Sequence, residues 1–138
     1  MRSNRFPPLV FPRLWLAVAA SVTLAAAILS LMPYHVPWPG PLAGDKDMHA
    51  VAYMIVTAAW LQATRAARWP VTLSAMLVLG LGLELAQMLT PTRVFHDTDL
   101  IANAIGVAVG GLLCLTPIGR GLGALDRGLA RMTGHDFS

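Results

Sequence analysis

The chain has 138 residues, of which 56% are hydrophobic and only 12% charged. An average soluble domain is nearer one quarter charged, so neither a disordered chain nor an ordinary soluble enzyme fits. The charges are clustered, with apolar stretches between them, which points to a single-domain polytopic membrane protein of the all-α class. The net charge of +3 comes from nine arginines and one lysine. They are scattered over termini and loops with no basic helix face, so nucleic acid is not an expected partner. The single cysteine, Cys114, lies in an apolar run. It allows no intrachain disulfide and reads as a packing residue.

A helix needs about 20 apolar residues to cross a bilayer, and four stretches qualify. The first spans residues 14–32, broken only by Ser21, Thr23 and Ser30. Its apolar core is too long for a signal peptide and no small-x-small site follows it, so it is expected to stay in the protein. The connector after it has prolines at 33, 37, 39 and 41 and is expected to be stiff and extended. The second stretch covers residues 48–64. The third runs over 70–89, from a first-turn proline to Thr90-Pro91. The fourth runs over 97–115, ending before Thr116-Pro117. The second and fourth reach full length only with their polar first turns. The predicted fold is therefore a four-span transmembrane helix bundle.

With four spans, Arg2, Arg5, Arg13, Arg65, Arg68, Arg120, Arg127 and Arg131 all fall on one side, against Lys46 and Arg93 on the other. The positive-inside rule then puts both termini in the cytoplasm. Trp15, Trp60 and Trp69 fall near the inner interface and Trp38 near the outer one. In the tail over residues 118–132, Leu122, Leu125, Leu129 and Met132 recur at helical spacing, with Arg120, Arg127 and Arg131 elsewhere on the wheel. That is the pattern of an amphipathic helix along the inner membrane surface.

The ionisable residues sort toward the outer half: Asp45, Lys46, Asp47, His49, Glu84, Arg93, His96, Asp97 and Asp99. On the second span Asp45, His49 and Tyr53 follow i, i+4, i+8 and form one stripe. At 1.5 Å per residue it reaches about 12 Å inward. On the third span Glu84 and Gln87 are three apart. On the fourth, Asp99 and Asn103 are four apart, followed by Gly106 and Gly110, which let another helix approach closely. Three polar stripes at similar depth can satisfy one another only by facing a shared interior. Asp47 and Asp97 are explained by the helix dipole alone. Glu84 is not, because it lies toward the C-terminal end of its helix and a carboxylate at that depth costs several kcal/mol unless paired or protonated. There is no HExxH, CxxC, GxSxG, P-loop or dinucleotide-binding glycine pattern. Lys46 and Arg93 beside the acids argue against a bound cation, so no metal and no other cofactor is expected.

The string Asp45-Lys46-x-x-His49-x-x-x-Tyr53 resembles the opening motif of VanZ-like membrane proteins. A second block is similar too: Glu84-x-x-Gln87, Pro91-x-Arg93-x-Phe95 and Asp99-x-x-x-Asn103-x-x-Gly106. The resemblance covers roughly residues 45–113, with both blocks in order. His96-Asp97 departs from the pattern, leaving Asp97 as an alternative to Asp99 for the family's aspartate. The family takes its name from a protein linked to reduced sensitivity to the glycopeptide teicoplanin. The resemblance implies a bacterial cell-envelope membrane protein, but no established reaction.

Three functions are compatible with these residues. In an enzyme acting on a lipid-linked or phosphorylated amphiphile, His49 is the general acid or base. Asp45 or Asp99 orients it, and Glu84 holds a second proton. Lys46 and Arg93 receive the anionic head group, and Tyr53, Gln87 and Asn103 supply neutral hydrogen bonds. The second function is a non-catalytic binder of a lipid head group or antibiotic. The third, a proton-coupled transporter, is disfavoured because the inner half of the spans carries no ionisable residue. The expected partner is a membrane lipid or lipid-linked envelope precursor, with oligomeric state left open.

Overall fold

A computed structural model describes residues 8–32, 45–64, 66–89 and 97–134. The described residues form helices α1 (Pro12–Leu31), α2 (Asp45–Ala63), α3 (Trp69–Gln87), α4 (Asp97–Leu115) and α5 (Gly121–Met132), with short 3-10 turns at Ala66–Arg68 and Pro117–Arg120. Local chemistry sets most of these boundaries. Proline sits in the first turn of α1 and of α3, where its missing N–H costs nothing. Asp97 and Asp99 occupy the first turn of α4 and complement its dipole. After α4 the Thr116 hydroxyl accepts from the Ile118 N–H at 3.3 Å and opens the 3-10 turn. α2 begins at Asp45, three residues before the apolar stretch, because its polar first turn is helical.

Contacts between helices fix their directions. Along α2 and α4, Ala50 meets Gly106, Met54 meets Gly110 and the Cys114 thiol reaches the Ala58 carbonyl at 3.7 Å, so the two helices run parallel. α3 runs against both, with Glu84 beside His49 and Leu73 beside Gly111. α1 runs against α2: the Trp60 indole donates to the Thr23 hydroxyl at 2.8 Å, and that hydroxyl donates to the Ala19 carbonyl. The result is an up-down-up-down bundle. A core of Tyr53, Val56, Met76 and Val107 is flanked by Val22, Ala26, Trp60, Leu73 and Leu79.

The bundle is polar inside and apolar outside. Thr57, Glu84, Gln87, Asp99 and Asn103 are buried, while Leu24, Ile28, Val71, Val78, Leu85, Ile101, Ile105 and Leu112 lie on the exterior. An apolar exterior of this extent is a membrane surface. Three helical stretches, Pro12–Leu31, Ala66–Gln87 and Asp97–Leu115, are long and apolar enough to cross a membrane. α2 has the length, at 19 residues, but a more polar composition. Its position explains the difference. It packs on α1, α3 and α4, and Ile55 is its one large exposed hydrophobic residue among those described.

α2 and α4 form the closest pair, and two glycines permit it. A Cβ at Gly106 would collide with the Ala50 carbonyl oxygen, and one at Gly110 would stand 2.6 Å from the Met54 carbonyl oxygen. Close approach through small residues is how helices pack where no water drives them together.

α5 is held at the other end of the bundle. Its buried Asp126 accepts from the Val10 N–H, from the Phe11 N–H at 3.0 Å and from the Trp15 indole at 2.8 Å. The Leu122 N–H donates to the Gln62 side chain at 3.2 Å. Burial opposes the charged carboxylate, but these hydrogen bonds and the neighbouring Arg127 outweigh it and hold Asp126 below the usual carboxylate range. The face with Asp126 and Ala130 turns inward, Ile118, Leu125, Leu129 and Met132 are exposed, and Arg120, Arg127 and Arg131 lie elsewhere on the surface.

Three outcomes follow for thermal unfolding in detergent. Gly106→Ala is expected to destabilise by about 1–3 kcal/mol through overpacking. Gly82→Ala, whose added methyl meets nothing within 4 Å, is expected to be neutral or stabilising by up to about 1 kcal/mol. Asp126→Ala leaves three donors without their acceptor and is expected to cost about 2–4 kcal/mol. Because the folded value is lowered, Asp126 contributes fully above the ordinary carboxylate value near pH 4. That contribution fades as pH falls through the lowered folded value. A pH series should therefore show wild type losing its advantage over Asp126→Ala only in acid.

Candidate functional site

The site lies where the N-terminal turns of α2 and α4 meet the last turns of α3. His49 on α2, Glu84 on α3 and Asp99 on α4 each offer one nitrogen or oxygen, and these three atoms lie within 4.8 Å of one another. His49 Nδ1 stands 3.4 Å from Glu84 Oε1. Glu84 is 1% exposed and Asp99 5%. The three come together because α2 and α4 are parallel and staggered by the Ala50–Gly106 contact, while α3 brings its C-terminal half to the same level.

One turn deeper, each helix contributes the next residue of its stripe. Tyr53 follows His49, Asn103 follows Asp99, and Gly80 lies four residues before Glu84 on the antiparallel α3. A Cβ at Gly80 would stand 3.3 Å from Asn103 Nδ2 and 3.5 Å from Tyr53 Cε1. The missing side chain lets Tyr53 and Asn103 pack directly against α3. The Tyr53 hydroxyl and Asn103 Oδ1 are buried without hydrogen-bond partners among the described residues, as are His49 Nδ1 and, one turn below Tyr53, the Thr57 hydroxyl. Unsatisfied buried polar groups cost about 1–3 kcal/mol each, and their concentration in one place calls for an explanation.

The remaining sequence candidates divide. Gln87 is buried and its amide donates to the Ser30 carbonyl and hydroxyl of α1, both at 2.8 Å. It ties α3 to α1 beside the cluster. Lys46 and Asp47 are exposed on the first turn of α2. Asp97 is exposed and accepts from the adjacent Thr98 N–H at 2.8 Å. Thus Asp99, and not Asp97, is the acid brought to His49 and Glu84. Asp45 begins α2. Its side chain, like Arg93, His96, Trp38 and the proline-rich connector, lies outside the described residues. Sequence reasoning passed over Gly80, Thr57, Ser30 and Asp126. The first two were detectable, since Thr57 extends the 45–49–53 stripe by four residues and Gly80 sits four before Glu84. Ser30 and Asp126 were not, because their partners come from distant helices.

Residues 43–118, more than half of the chain, match the VanZ/LLP1 family. The protein belongs to that family. No curated protein and no solved structure matches it. The VanZ/LLP1 stretch takes in α2, α3 and α4, and with them all of His49, Tyr53, Gly80, Glu84, Asp99 and Asn103. α1 and α5 lie outside it.

The two-layer arrangement has a consequence for stability. Tyr53→Phe deletes a buried hydroxyl that has no partner among the described residues. It is expected to leave the thermal unfolding midpoint unchanged or raised, by up to about 2 kcal/mol of stability. Val56→Ala, one turn of core away, is expected to cost about 1–3 kcal/mol. Parallel melts of the two variants in the same detergent provide the check.

Proposed function

We propose that this VanZ/LLP1 protein is a four-span protein of the bacterial cytoplasmic membrane, with an outward-opening site for the head group of a phosphorylated, lipid-linked envelope compound. The observation that carries this reading is the clustering of buried Glu84 and Asp99 with partly buried His49 inside a bundle with an apolar exterior. Ionisable groups so placed are expensive, and are usually functional. α2 counts as the fourth span because it runs the length of the bundle between three more apolar helices. The arginine count of the two ends supports cytoplasmic termini. It also puts α5 on the inner surface, with its apolar stripe in the lipid and its arginines toward the head groups. The cluster, at the opposite end, then faces the periplasm or exterior.

In this reading His49 takes or gives a proton, held by Glu84 on one side and Asp99 or Asp45 on the other. Lys46, exposed at the mouth, and Arg93 receive the anionic group. Tyr53 and Asn103 bind its neutral part, and Gln87 steadies α3 against α1. The family's link to glycopeptide resistance favours a lipid-linked cell-wall intermediate as the substrate class. The same site used for binding alone would need the cations but not the imidazole.

The test is mass spectrometry of lipids that co-purify with the detergent-solubilised protein. Wild type is expected to carry a phosphorylated lipid and Arg93→Ala to lose at least ~90% of it, in line with a charge-assisted contact of about 1.5–3 kcal/mol. His49→Ala is expected to retain the lipid while failing to convert it. Equal lipid in wild type and Arg93→Ala would overturn head-group capture, and unchanged conversion by His49→Ala would favour binding without chemistry.

A further inference from the structure

We propose that His49, Glu84 and Asp99 bind one divalent transition-metal ion, zinc foremost, with Asn103 in the layer beneath as a hydrogen-bonding support for the ion's remaining ligand. The proposal rests on that site being a functional one and revises how it works: with His49 bound to the ion, the ion's Lewis acidity, and not a proton on the imidazole, would supply the chemistry. The donor set is one imidazole nitrogen and two carboxylates, a combination that suits zinc. The distances suit it too. Ligand atoms about 2.0–2.1 Å from a tetrahedral ion lie roughly 3.4 Å apart, and His49 Nδ1 and Glu84 Oε1 are 3.4 Å apart. That separation is long for a hydrogen bond, and His49 Nδ1 makes none with the described residues. All three donors fall within 4.8 Å of one another, so side-chain rotations of well under a turn bring them onto one ion.

The second, independent observation is the layer below. Asn103 is 3% exposed, its Oδ1 has no partner among the described residues, and it sits one turn from Asp99 on the same face of α4. The Tyr53 hydroxyl, equally without a described partner, belongs to the residue one turn from His49, and the Tyr53 ring and Asn103 both pack against Gly80. A metal with three protein ligands retains an open position for water or substrate, and these two groups stand ready to hydrogen-bond whatever occupies it. The inference reverses the expectation drawn from sequence, in which Lys46 and Arg93 beside the acids spoke against a cation; Arg93 lies outside the described residues. Lys46 is exposed on the first turn of α2, where water screens its charge. A cation here would join the two carboxylates and offer a phosphoryl oxygen a Lewis acid.

The experiment is isothermal titration of zinc chloride into the full chain, purified with a histidine-free tag, delipidated and stripped with EDTA. Thermal unfolding with and without zinc runs alongside. Wild type is expected to bind one ion per chain saturably and to melt higher in its presence. His49→Ala and Asp99→Asn are expected to weaken binding by about 100-fold or more and to lose the zinc-dependent rise, and Asn103→Ala to weaken it about 10-fold. Asp97→Asn, an exposed acid on the same helix turn, is expected to bind as wild type does. Circular dichroism shows that each variant keeps its helices. No saturable binding to folded wild type would overturn the proposal, as would equal binding by wild type, His49→Ala and Asp99→Asn. Because the titration uses lipid-free protein, its failure leaves the lipid-capture result standing, and the reverse also holds.

Discussion

The near-backbone contact between α2 and α4 is the constraint from which the site follows. Positions 106 and 110 have no side chain, and the carbonyls of Ala50 and Met54 occupy the space a methyl would need. That contact fixes the relative height of the two parallel helices, and so puts the side chains of His49 and Asp99 within reach of each other. α3 need only bring Glu84 to the same height, which its antiparallel course does. A bundle packed on larger residues would separate these side chains by several ångströms and leave each carboxylate to find its own partner in a medium that offers none.

Much of this was legible in the sequence, for physical reasons that differ by residue. Asp45, His49 and Tyr53, like Asp99 and Asn103, sit at spacings that one helix face must share, so each stripe could be read without coordinates. Glu84 stood out because no helix-terminal role excuses a carboxylate there. The glycines at 106 and 110 announced a close helix approach but not which helix, since identity of a partner depends on three-dimensional order. The choice between Asp97 and Asp99 also depended on that order. Both complement the dipole of α4, and only the rotation of α4 against α2 turns one inward and leaves the other bonded to its neighbouring backbone.

Composition sets α2 apart from the other long helices for a related reason. Hydropathy measures what a helix would present to lipid if it stood alone, and α2 does not stand alone. Wrapped by α1, α3 and α4, it turns Tyr53 and Thr57 to the interior and shows little apolar surface outward. The most polar long helix thus carries the imidazole of the cluster, while the three around it supply the apolar exterior. Gln87, read as a ligand-facing amide, has a further tie in the Ser30 end of α1, so the helix outside the family-matched stretch still braces the site.

Asp126 connects parts of the chain that evolution need not have kept together. The VanZ/LLP1 match ends at residue 118, eight residues before this carboxylate, and begins well after the three donors it serves at Val10, Phe11 and Trp15. A chain cut at the C-terminal edge of the family match would keep every residue of the cluster yet deprive the start of α1 of the Asp126 carboxylate. Minimal-domain engineering of this protein should therefore treat the two ends as one clasp, retained whole or removed whole.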